Sequence, residues 1–134
     1  MREFGFSETE FYLIARRAYE LALQGAYEPA AVLLEGLRAV DPSDRYTLLT
    51  LAAIRLKQSQ PAGAIAILEQ RLRADANDFE ARLLLLEACM NSGRDAEAER
   101  EWNRIEASGA AVPRRVELRW RAFRNPAQRA LMGP

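Results

Sequence analysis

The chain has 134 residues, 49% of them hydrophobic, and its 19 basic and 19 acidic side chains balance to zero net charge, which is one domain's worth of protein with apolar material for a continuous core. It contains no histidine and a single cysteine, Cys89; this removes the commonest general base and metal ligand and leaves no partner for an intrachain disulfide. The zero balance hides an asymmetry, because residues 1–112 carry 13 basic and 18 acidic side chains whereas residues 113–134 carry 6 and 1, a basic tail on an acidic body.

Ala, Leu, Glu and Arg dominate and β-branched residues are few, which predicts an all-helical chain. The opening Met-Arg-Glu-Phe-Gly-Phe lacks the apolar run of a signal peptide, and no stretch has the length of a membrane span; we expect a soluble cytoplasmic protein. Ser7 followed by Glu10 has the form of a capping box, and Phe6 with Phe11 has the spacing of a hydrophobic staple, so a helix is predicted to start near residue 8. Its apolar positions Phe11, Ile14, Ala15, Ala18, Leu21 and Ala22 recur at three and four until Gln24-Gly25. A return helix is predicted over 28–40 with Ala30, Ala31, Leu34 and Leu37 inward, ended by Asp41-Pro42.

The second pair is predicted to start after Asp44, an N-cap, with Leu48, Leu49, Leu51, Ala52 and Leu56 apolar and a turn at Gln58-Ser59-Gln60. Its return helix over 61–74 presents Ala64, Ile65, Leu68 and Leu72, with Pro61, like Pro29 before it, in the first helical turn. The third pair follows Asn77-Asp78 with Ala81, Leu84, Leu85, Ala88 and Cys89, turns at Ser92-Gly93, and returns through Ala98, Trp102 and Ile105 to Ser108-Gly109. There Asp95, Glu97 and Glu99 supply negative charge to the helix start. After Val112-Pro113 a seventh helix over 114–124 gathers Val116, Trp120 and Phe123 on one face, the pattern of a terminal cap. Asn125-Pro126 is read as its end, with 127–134 frayed.

These pairs repeat at a fixed period. Gly25, Ser59 and Gly93 are 34 residues apart, as are Ala30, Ala64 and Ala98, and Leu34, Leu68 and Trp102. A small residue that ends one helix, then an alanine five positions on where the second helix crosses closely, is the need behind the spacing. The pattern resembles the tetratricopeptide repeat, a helix-turn-helix unit of 34 residues. The match covers about residues 11–112, as repeats over 11–44, 45–78 and 79–112, with a capping helix over 113–124 and a tail over 125–134. It departs from that pattern at Ser59, where glycine is usual, and at Ala76, where the closing proline of the kind seen at Pro42 is missing. The resemblance implies a single all-α domain, a right-handed superhelical solenoid. Three repeats plus a terminal helix in a chain of this size also resemble the small tetratricopeptide chaperones of bacterial type III secretion systems, which hold secretion subunits in the cytoplasm.

In that family the first helices of successive repeats line a concave groove. Carried over by position, the partner-binding residues are Tyr12, Ala15, Tyr19 and Ala22; Tyr46, Leu49, Ala53, Leu56 and Lys57; and Glu80, Leu83, Glu87 and Met90. Such a trough suits an amphipathic helix or an apolar extended segment of another protein, with Tyr12 and Tyr46 as anchors. The alternative for each is packing against the neighbouring helix with no ligand. The lysine and asparagine that grip a terminal carboxylate in some family members are missing from these positions.

Other readings are weaker. Cys89 sits among apolar residues with no histidine to activate it, so a buried inert thiol is expected. No phosphate loop, metal-ligand spacing or nucleophile elbow is present; we expect no enzyme, no small-molecule substrate, no cofactor and no metal. Arg114, Arg121 and Arg124 on the last helix offer a docking surface for an acidic partner, which would make the chain a structural adaptor working through its convex face. The acid excess of residues 1–112 argues against nucleic acid.

Overall fold

The structure is a computed structural model that describes residues 7–132, all but the side chain of Met132. Among the described residues eight helices follow one another: α1 (Glu8–Leu23), α2 (Tyr27–Val40), α3 (Arg45–Lys57), α4 (Pro61–Ala74), α5 (Phe79–Asn91), α6 (Asp95–Ala107), α7 (Arg114–Arg124) and α8 (Pro126–Met132). The first six form three antiparallel hairpins that stack side by side, α2 on α3 and α4 on α5, while α7 seals the end. This is the all-α solenoid of three repeats and a cap that the period predicts. Phe6, one half of the expected staple, lies outside the described residues; the capping box is present, with Glu10 N–H donating to Ser7 Oγ at 3.0 Å and Ser7 N–H to Glu10 Oε1 at 3.3 Å.

The three turns are copies of one structure. Gly25, Ser59 and Gly93 have φ of 79°, 59° and 69°, the left-handed region that glycine enters without strain. In each the next amide closes the helix end: Ala26 donates to Leu21 at 2.9 Å, Gln60 to Arg55 at 2.8 Å and Arg94 to Cys89 at 2.9 Å, the six-to-one bond of a Schellman cap. Ser59 thus adopts the glycine conformation that its position demands, against the preference of its own Cβ. The crossing alanines Ala30, Ala64 and Ala98 have no exposed surface, so the two helices of each hairpin meet there without room for a larger side chain.

Stacking between repeats uses a second recurring face. Thr47, Leu51 and Ile54 of α3, then Ala81, Leu85 and Ala88 of α5, then Val116, Trp120 and Phe123 of α7 are buried at corresponding positions. The matching residues of α1 are Leu13, Arg17 and Glu20, all exposed. α1 thus presents two charges where α3 presents Leu51 and Ile54. Trp102 departs from the role of its counterparts. Leu34 and Leu68 are fully buried, but Trp102 is half-buried and stacks on Trp120 with ring centroids 5.3 Å apart, because its neighbour is the cap and not a fourth hairpin.

One buried carboxylate ties three helices together. Asp78 caps α5, accepting from the Ala81 amide at 3.2 Å, and also receives Arg45 Nε of α3 at 2.8 Å and Arg71 Nε of α4 at 2.6 Å. Burial pushes this carboxyl up, but the bonds from Arg45, Arg71 and the Ala81 amide outweigh it and hold the pKa at about 2. Glu101, also buried, pairs with Arg82 at 2.6 Å and Arg104 at 2.9 Å, joining α5 to α6.

The tail differs from its expectation. Residues 126–132 form α8, because Asn125 Oδ1 accepts from the amides of Ala127 at 3.0 Å and Gln128 at 3.3 Å. Asn-Pro therefore stops α7 and also starts α8, with Pro126 at the first helical position, where its missing amide hydrogen costs nothing.

Candidate functional site

The odd-numbered helices α1, α3, α5 and α7 pack in sequence on one side of the solenoid, the side expected to form the inner wall of the trough, with α2, α4 and α6 in the other layer. On α1, Tyr12, Tyr19 and Leu23 fall on one stripe and are 63%, 48% and 70% exposed, and Tyr46 of α3 is 42% exposed. Burial of the Tyr46 ring, with Tyr19 and Tyr12 close by, raises its pKa, while a hydrogen bond with Thr50 works the other way. The three phenols are therefore gathered across two helices by the register of the repeat: Tyr12 and Tyr46 are 34 residues apart.

The remaining expected groove residues divide by burial. Ala15, Leu49 and Met90 are buried and are occupied with helix packing, so they supply at most the floor. Ala22, Ala53, Leu56, Leu83 and Glu87 are half-buried, whereas Lys57 and Glu80 are exposed. Sequence reasoning missed Leu23, Thr50 and Arg119. Leu23 lies one helical turn beyond Tyr19, a spacing that extends the same stripe, but its place at the helix end concealed it. Arg119 reaches from α7 to the Asn91 amide oxygen and to Glu87 Oε1 at 3.8 Å. The trough is thus divided. Its α1 and α3 half is aromatic and apolar, and its α5 and α7 half ends in the polar cluster of Glu87, Asn91 and Arg119.

The proposed acidic-partner arginines are partly engaged already. Arg121 pairs with Glu117 at 2.6 Å, and Arg124 lies 3.8 Å from Glu99 and 5.7 Å from the centre of the Trp120 ring; Arg114 is exposed. Cys89 is buried, and burial, reinforced by Glu97 and Glu101, pushes its thiol up to about 11, so at neutral pH it is a protonated, unreactive core residue. Among the described residues no group of three or more His, Cys, Asp or Glu is placed to hold a metal ion, and no helix is long and apolar enough to cross a membrane.

Stacked helical hairpins with an open aromatic inner wall define a solenoid repeat protein. Residues 55–118 match the model of the tetratricopeptide repeat. Among solved structures, the fold matches the Yersinia enterocolitica type III secretion translocator chaperone SycD with a TM-score of 0.74 and 23% sequence identity, over 96% of this chain and 98% of that one. None of the curated proteins matches.

Proposed function

We propose that this chain is a non-enzymatic protein-binding module whose concave trough receives an amphipathic helix or an apolar extended segment of another protein. The observation that carries the reading is the gathering of Tyr12, Tyr19, Leu23 and Tyr46, four large side chains with 42% to 70% of their surface exposed, on one face of a rigid scaffold. Aromatic residues on a firm wall give contact area at small entropic cost. A monomer that left them bare would carry an apolar patch prone to self-association. Likeness to a type III secretion translocator chaperone over nearly the whole length of both chains supports a narrower role, a cytoplasmic chaperone for a type III secretion subunit.

The division of the trough favours one orientation of the segment. Its apolar residues rest against α1 and α3, and its polar or charged residues meet Glu87, Asn91 and Arg119. The test is the affinity for a labelled amphipathic helical peptide with apolar residues at i, i+3, i+4 and i+7, compared between the wild type and the double variant Tyr12→Ala, Tyr46→Ala. Loss of two aromatic anchors is expected to weaken binding by more than about 2 kcal/mol, roughly thirtyfold. Equal affinity would remove the groove from the account. Weakening by Arg114→Ala, Arg121→Ala and Arg124→Ala instead, with collapse in added salt, would favour an adaptor that docks an acidic partner through α7.

A further inference from the structure

We infer that α8 is a charge-held latch that closes the hollow between the turns of the second and third repeats. The inference rests on the contacts of α8 alone and stands apart from the peptide-binding reading above.

Three observations lead to it. First, α8 has only seven residues, and an isolated helix far shorter than about 12 residues does not hold in water by itself; it needs docking. Second, none of the residues Pro126 to Leu131 is buried, and Leu131 is 89% exposed. Among the described side chains of α8, Arg129 fastens it. Its Nη1 and Nη2 donate to Asp95 Oδ2 and Oδ1 at 2.9 and 2.8 Å, and its guanidinium lies 4.1 Å from the centre of the Phe123 ring. Third, the same arginine walls a hollow of about 660 Å³ whose lining includes Leu56, Met90, Phe123 and Arg119. Phe123 and Met90 are buried, and Arg129 covers the Phe123 ring.

The consequence is a local opening that leaves the rest of the fold intact. α7 keeps its own seal, Val116, Trp120 and Phe123 against the third repeat, whereas α8 depends on a fork-on-fork ion pair whose two side chains are 37% and 61% exposed. Exposed charge pairs weaken as salt screens them, and buried apolar contacts do not. Raised ionic strength therefore unfastens α8, uncovers the Phe123 ring, and widens the polar end of the trough.

Amide hydrogen exchange tests this. The amides of Arg129, Ala130 and Leu131 are the readout, because they donate within α8 or back to Asn125. Between about 20 mM and about 500 mM NaCl their protection in the wild type is expected to fall roughly tenfold while α3 and α5 are unchanged. Asp95→Asn at low salt should reproduce that loss, and added salt should then do nothing more. Arg129→Gln, which leaves the start of α6 untouched, should behave the same way. Protection of α8 that survives in both variants, or a salt effect of full size remaining in Asp95→Asn, would overturn the latch.

Discussion

At the scale of single residues, three side chains carry consequences that can be weighed. Ser59 holds φ at 59° where its counterparts are glycines, so Ser59→Gly removes the clash of a Cβ in the left-handed region. Offset by the greater freedom of glycine in the unfolded chain, the net gain is expected to be about 0.5–1 kcal/mol in urea unfolding; a loss of stability would say that the turn tolerates its Cβ. Ala64 has no exposed surface at the central crossing, and Ala64→Leu is expected to cost about 1–3 kcal/mol by overpacking, read as a lowered melting temperature. Asp78 has a folded pKa of about 2 against 3.8 ordinarily. Its proton is bound more weakly in the folded state, so its contribution is complete above about pH 4 and is lost as pH falls from there towards 2, an effect of roughly 2 kcal/mol. The stability gap between wild type and Asp78→Asn should therefore narrow on acidification across that range; a constant gap would mean that the carboxylate charge is not what binds the three helices. That a helix starts just after Asp78 was legible, because a periodic run follows it. Its bonds to Arg45 and Arg71 were not, since they join residues that only the stacking of repeats brings together.

At the scale of elements, what is local in sequence was readable and what depends on neighbours was not. The capping box at Ser7, the cap at Asp44 and the turns at Gly25, Ser59 and Gly93 each act within a few residues, and the period of 34 multiplied that signal three times. α8 escaped because Asn-Pro is both a stop and a start, and a seven-residue helix has too few positions to show a periodic face. Trp102 escaped for a different reason: the period assigns it the place of Leu34 and Leu68, but its surroundings change at the end of the array. The cap itself rests on α7. Trp120 is buried and stacked between Trp102 and Phe123, with centroids 5.3 and 5.8 Å away, so Trp120→Ala is expected to cost about 3–5 kcal/mol. Urea unfolding followed by circular dichroism measures it, and a cost below about 1 kcal/mol would show that α7 is ornamental to the stack.

At the scale of the whole molecule, a solenoid whose units touch only their neighbours has one long inner face. Here that face is uneven, aromatic along α1 and α3 and polar where Arg119 meets Glu87 and Asn91. Of the residues that the resemblance assigns to the wall, Tyr12, Tyr19 and Tyr46 are exposed, whereas Ala15, Leu49 and Met90 are used up in packing. Burial of that kind depends on the angle at which successive repeats meet, which no single sequence position encodes. Side-chain footprinting by hydroxyl radicals, with and without a bound amphipathic helical peptide, asks most directly where a partner lies. The account predicts that oxidation of Tyr12, Tyr19 and Tyr46 slows severalfold on binding while Tyr27, on α2 behind the wall, reacts as before; protection confined to α6 and α7 with the three tyrosines unchanged would contradict it.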